Sequence, residues 1–288
     1  MTDALFRVSL PGGSRLALGS VEGGPSELLG ASLRLGDLLA AGAPGLAQAM
    51  RMGVGERCPP GTPVLAPVDD QEVWCTGVTY ERTRDARVHS VPHATLYDAL
   101  ATADRPELFF KAPGWRVRGP GEPIGIRADS GWDMAEPELG LVITAGGAIA
   151  GYVIANDMTS RAIERDNPLY LPQAKVYEGS CALGAAIVPA AAVEPPVEIR
   201  MVIQRDEAVI FEGRTSTARM VRTLDGLARW LLRALTFPRG VILLTGCGIV
   251  PNEGVTLRPG DRVRIEMGPL GVLENAVALV GTGGPTTG

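Results

Sequence analysis

The chain has 288 residues, with 27 Lys+Arg, 32 Asp+Glu and two histidines, and a formal net charge of −5. That balance excludes a general nucleic-acid binder, which needs a basic face. A hydrophobic content of 45% with 20% charged residues excludes global disorder. The 37 glycines and 23 prolines exceed the usual ~7% and ~5%, so many short strands and turns are expected, in one or two domains at ~150 residues each.

The first 65 residues read as a small N-terminal α/β domain. Phe6–Leu10 and Arg15–Leu18 alternate like strands around the turn Pro11-Gly12-Gly13-Ser14. Leu35 to Met52, rich in Leu and Ala, predicts one or two helices, and Arg57-Cys58-Pro59-Pro60-Gly61-Thr62-Pro63 reads as a linker. Met1–Leu10 lacks the basic-then-apolar pattern of a signal peptide. Cys58, Cys75, Cys181 and Cys247 form no CxxC pair, which excludes a zinc ribbon or dithiol motif and suits a reducing cytosol. Imidazole chemistry can only come from His89 or His93, both read as loop residues. Glu72–Val78 predicts a strand entering the core, and Tyr80 and Phe109 are read as core packing.

Leu139 to Ala155 carries no charge but is shorter than the ~20 residues of a membrane helix. Two buried strands around a glycine turn fit it better. A two-residue Gly146-Gly147 turn sets a register in which Glu136 faces Asp157, and Glu138 shares the face of Glu136 because strand side chains alternate. Three converging carboxylates in apolar surroundings repel one another unless a cation joins them. All-oxygen ligation without histidine suits Mg²⁺ first, with Mn²⁺ or Ca²⁺ also compatible. The bland alternative is a pair of solvated edge-strand glutamates with Asp157 capping a turn.

Downstream, Asn167 to Lys175 is a proline-bounded loop ending in a lone basic residue, either a surface lysine or an acid/base group beside the metal. Leu224 to Ala234 has helical spacing, with Ser216 or Thr217 helping to begin that region and Pro238 and Gly240 ending it. Val241–Leu244, Asp261–Met267 and Val272–Val280 read as strands, and residues 282–288 as a disordered tail.

Taken in order, Glu136-Pro137-Glu138-Leu139, Gly151-Tyr152, Asn156-Asp157-Met158-Thr159-Ser160-Arg161, Gly213-Arg214-Thr215-Ser216, Leu244-Thr245-Gly246 and Leu257-Arg258-Pro259-Gly260-Asp261 resemble the fumarylacetoacetate hydrolase superfamily across about residues 66–281. The resemblance implies a mostly β (α+β) catalytic domain built on a rolled mixed sheet. It also implies a homo-oligomer, dimer or tetramer, and a divalent cation on Glu136, Glu138 and Asp157. Arg105-Pro106-Glu107-Leu108-Phe109-Phe110-Lys111, Asn167 to Lys175, Tyr177 and Ser180-Cys181-Ala182-Leu183-Gly184 further resemble the 2-keto-3-deoxy-D-arabinonate dehydratase branch, which yields 2,5-dioxopentanoate in pentose breakdown. The C–C hydrolases of the superfamily place a histidine after the strand that here reads Gly77-Val78-Thr79-Tyr80, but this chain continues Glu81-Arg82-Thr83-Arg84. That departure disfavours the hydrolase dyad. Cys247 stands where threonine is expected, removing a hydroxyl contact.

For a cytoplasmic hydro-lyase acting on a small 2-keto acid, Lys175 is assigned as C3 base and Glu107 as proton donor to the leaving C4 hydroxyl, the reverse assignment remaining open. Thr245 and Gln173 are candidates for hydrogen-bonding the substrate, and Lys111, Arg82 and Arg84 for neutralising it. The competing readings are an acylpyruvase-type C–C hydrolase or oxaloacetate-type decarboxylase on the same scaffold, and a non-catalytic β domain that binds a small acid.

Overall fold

A computed structural model describes residues 1–51, 55–81, 99–100, 103–251 and 254–281. The N-terminal segment contributes β1 (Asp3–Leu10), β2 (Gly13–Ser20) and β3 (Gly24–Leu28), then short helices at Leu35–Ala40 and Ala43–Ala49. There follow β4 (Val64–Leu65), β5 (Glu72–Gly77), β6 (Glu107–Pro113), β7 (Ile124–Arg127), β8 (Asp133–Met134), β9 (Pro137–Ile143), β10 (Ile149–Asp157) and β11 (Thr159–Ser160). Helices Arg161–Asp166 and Leu171–Lys175 lead to β12 (Cys181–Leu183), β13 (Ala186–Pro189), β14 (Glu198–Arg205) and β15 (Ala208–Ser216). Helix Leu224–Leu231, β16 (Val241–Leu244), β17 (Arg262–Met267) and β18 (Gly271–Val280) complete the described chain.

Among the described residues, an 11-stranded mixed sheet runs β3-β2-β1-β13-β10-β9-β16-β5-β6, with β12 and β4 paired to its side, and a five-stranded sheet runs β15-β14-β17-β18-β7. The two sheets enclose one core, where Leu139, Leu141, Ile154 and Leu243 meet Ile199, Met201, Ile265 and Leu273. The opposite face of the large sheet packs Val142, Val153, Ile242 and Leu244 beneath Leu35, Leu39 and Leu46 of the first two helices. Burial on both faces explains the uncharged run from Leu139 to Ala155: no position on β9 or the inner part of β10 faces water. No helix among the described residues is long and apolar enough to cross a membrane.

The expected N-terminal strands and helices form where the sequence places them. Leu5↔Ile187 and Phe6↔Ala186 join β1 to β13, so the segment continues the large sheet. The expected linker is tied down by Cys58 N donating to Ser26 O at 2.9 Å and Ser9 N to Pro63 O at 2.9 Å. Helix Leu224–Leu231 begins one residue after Thr223, whose side chain accepts from Gly226 N, whereas Ser216 caps the separate turn Thr217–Arg219. Residues 282–288, Arg82, Arg84, His89 and His93 lie outside the described residues.

The β9–β10 hairpin corrects the turn while keeping the register. Its loop spans Ala145–Gly147, closed by Thr144 N donating to Ala148 O at 2.9 Å, with Gly147 at φ 86°. A two-residue Gly146-Gly147 turn is therefore not formed. The longer loop pairs Ile143 with Ile149, a register that alone sets Glu136 opposite Asn156. A bulge at Ala150 inserts one residue into β10, so that Val142 faces Gly151 and Glu138 faces Ala155. Asp157 N then donates to Glu136 O at 2.9 Å. The two departures cancel.

Candidate active site

Glu136, Glu138 and Asp157 each offer a carboxylate oxygen within 4.8 Å of the others, and all three are buried. Strand alternation aims Glu138 and Asp157 toward the face that also carries Cys75, Ala155 and Cys181. Gly246, just beyond β16, donates its backbone N–H to Glu138 Oε2 at 2.6 Å. Burial pushes the Glu138 carboxyl well above the ordinary range, and repulsion from Asp157 and Glu136 adds to it. Buried carboxylates this close require positive charge.

The chain itself supplies three cations. Lys175 Nζ donates at 2.6 Å to Glu136 Oε2, to Asp157 Oδ2 and to Thr159 Oγ1. Lys111, completely buried, pairs with Asp157 and donates to Met158 O at 2.9 Å and Lys175 O at 2.5 Å. Arg161 forks between Glu136 Oε1 at 2.8 Å and Glu164 Oε2 at 2.5 Å. The local sequence builds this arrangement. Arg161 and Glu164 sit three residues apart, on one buried face of a helix that begins where β11 ends. Asn167 accepts from Leu169 N at 2.9 Å and starts a 3₁₀ turn whose first residue is Pro168, and Pro172 lies in the first turn of the helix ending at Lys175. The proline-bounded loop expected from the sequence is thus two successive helical turns that drive Lys175 inward.

A cleft opens onto this cluster, lined by Glu107, Glu136, Glu138, Glu164, Lys175 and Cys247 among others. Phe109 also lines it, its ring 5.6 Å from Lys175 Nζ, so this residue is a wall of the cleft rather than core packing alone. Tyr80, 1% exposed, is core as expected. Val78 adopts φ 53°, a strained conformation for a β-branched residue, and turns the chain out of β5 at the rim of the cleft. Thr79 Oγ1 donates to Thr245 O at 2.6 Å and fixes that turn.

Five of the sequence candidates, Glu107, Glu136, Glu138, Asp157 and Lys175, come together. Three others do not line the cleft. Thr245 is buried and donates its hydroxyl to Leu139 O at 2.9 Å, which ties β16 to β9. Gln173 is exposed, and its backbone carbonyl accepts from Arg127 at 3.2 Å. The three N–H donors of Lys111 match its three contacts to Asp157, Met158 and Lys175. The sequence reading assigned no role to Arg161 and Glu164; their i,i+3 spacing directly after Ser160 was the available signal.

The donor set fits a hard divalent cation: three oxygen ligands, all buried, on two adjacent strands with second contacts that orient each carboxylate. Residues 72–278 match the family pattern described as fumarylacetoacetate (FAA) hydrolase C-terminal. The chain is 44% identical over 216 residues, 74% of each chain, to the Haloferax volcanii protein named Probable 2-keto-3-deoxyxylonate dehydratase. It is 39% identical over 216 residues, 73% of this chain and 72% of the other, to 2-dehydro-3-deoxy-D-arabinonate dehydratase of Saccharolobus solfataricus. A solved structure described as 2-keto-3-deoxy-D-arabinonate dehydratase complexed with magnesium and 2,5-dioxopentanoate superposes with TM-score 0.83 at 32% identity, covering 96% of this chain and 99% of that one. The β framework, the ordered motifs and these likenesses agree: the chain belongs to the fumarylacetoacetate hydrolase family.

Proposed function

We propose that this chain is a magnesium-dependent hydro-lyase that removes one water from a 2-keto-3-deoxypentonate to give 2,5-dioxopentanoate. The observation that carries the reading is the buried Glu136, Glu138 and Asp157 cluster, with Lys175 bonded to it and Glu107 on the same cleft. The activity named for the two relatives, and the magnesium and product named for the solved relative, support it. Once C2 is a ketone and C3 carries no hydroxyl, arabinonate- and xylonate-derived acids of one series keep a single stereocentre, C4, so the relatives' two names are compatible with one substrate.

Glu136, Glu138 and Asp157 would hold the ion, which when bound supplies Lewis acidity toward the 2-keto group and like-charge pressure on the Lys175 ammonium. Lys175 takes the C3 proton, and Glu107 delivers a proton to the departing C4 hydroxyl. The C3=C4 double bond so formed tautomerises through C5 to the 5-aldehyde, and one water is lost in total. Arg161 and Lys111 hold Glu136 and Asp157 in place. A cytoplasmic setting is supported by four buried cysteines that form no disulfide, and a homo-oligomer, dimer or tetramer, is what the family resemblance implies.

Glu136→Gln and Asp157→Asn are expected to abolish Mg²⁺-dependent formation of 2,5-dioxopentanoate, read by mass spectrometry as loss of 18 Da, the mass of one water, from the substrate. Full turnover by these variants after chelation would refute the metal assignment. Two carbon fragments, or released CO₂, would establish the hydrolase or decarboxylase reading instead.

A further inference from the structure

We infer that Gly77 is a positioning residue for Glu107, an inference that rests on the proposed acid/base role of Glu107. Gly77 closes β5 and pairs directly across the ladder with Glu107, the first residue of β6. A Cβ built at Gly77 falls 1.8 Å from Glu107 Oε2, 2.7 Å from its Cδ and 3.4 Å from its Cγ. The Glu107 side chain therefore folds back over the Cα of its cross-strand partner. That path exists only because position 77 carries no side chain. Both residues line the cleft that holds Glu136, Glu138 and Lys175.

The atoms in the way are the far end of a flexible side chain; no backbone atom lies among the nearest contacts. A methyl group at position 77 is thus expected to turn the Glu107 carboxylate away while leaving the ladder intact. Gly77 is not in a left-handed conformation, its φ lying outside the positive range, so alanine brings no backbone strain of that kind. Displacing a catalytic carboxylate by about 1 Å can cost ~10²-fold in rate.

The test is a double-mutant cycle on the full-length enzyme with Mg²⁺ and 2-keto-3-deoxypentonate. Gly77→Ala is expected to lower kcat at least ~10-fold with KM changed by less than about twofold, and to add nothing when Glu107 is already Gln. An inactive Glu107→Gln beside a Gly77→Ala variant with wild-type kcat overturns the inference alone. Full turnover by Glu107→Gln overturns the assigned role of Glu107, and the role of Gly77 with it. If Gly77→Ala lowers Tm, the Gly77→Ala/Glu107→Ala double variant is expected to recover it. A loss that persists identifies a backbone effect and overturns the inference.

Discussion

Lys175 illustrates how much one nitrogen carries: three hydrogen bonds at 2.6 Å join it to Glu136, Asp157 and Thr159, all buried, at the base of the cleft. Around it, Lys111 pairs with Asp157 and Arg161 with Glu136, so these two buried carboxylates face opposite charges, while Glu138 accepts from Gly246 N. Asp133, at the start of β8, lacks that compensation. It is 3% exposed, its Oδ1 has no hydrogen-bond partner, and burial pushes its carboxyl up to about 6. An acid whose folded pKa lies above its unfolded value of 3.8 costs stability above pH 6, and the cost vanishes below about pH 4. Asp133→Asn is therefore expected to stabilise the fold by about 1–2 kcal/mol at pH 8 and by nothing at pH 4, measured by urea melts at both pH values. At this scale the acidic cluster was legible, because carboxylates within an apolar run demand an explanation. Arg161 and Glu164 were not, because an i,i+3 pair reads the same on a solvated helix face as on a buried one.

The β9–β10 hairpin shows how an element can be read correctly from an incorrect detail. The Gly-Gly dipeptide signalled a hairpin, and the apolar residues on both sides signalled burial. The three-residue loop and the Ala150 bulge left no mark in the sequence, yet each alone moves every side chain of β10 by one position. Deleting Ala150 would remove the bulge and leave the same residues paired, whereas inserting one alanine after Val153 is expected to set Glu136 against Asn156 and to turn Asp157 away from Glu138. The insertion variant should retain a strand-dominated circular dichroism spectrum while losing Mg²⁺ binding by calorimetry. Wild-type Mg²⁺ affinity in that variant would show that the register of β10 does not set the site. The Lys175 segment carries a parallel lesson. Pro168 and Pro172 read as loop boundaries, but proline also suits the first turn of a helix, and two such turns in series bring the lysine beneath the strand ends.

Across the whole molecule, the cleft lies where the central strands of the large sheet end and the helices Arg161–Asp166 and Leu171–Lys175 cover them. A cation held there binds the folded chain alone. Mg²⁺ at 100 times its Kd is expected to add about 2.7 kcal/mol, a Tm rise of roughly 5–10 °C for a chain of this size. Glu138→Gln should lose most of that rise in a thermal melt. The sequence by itself determined the mostly β class, the strand positions and the acidic and basic residue types at the centre, because composition, alternation and short motifs are local properties of the chain. Only the tertiary structure decided that β1 continues the large sheet, that Lys111 and Thr245 are structural contacts rather than parts of the cleft wall, and that Gly77 makes room for Glu107. Those facts depend on which residues meet across strands far apart in the chain, and no local pattern records them.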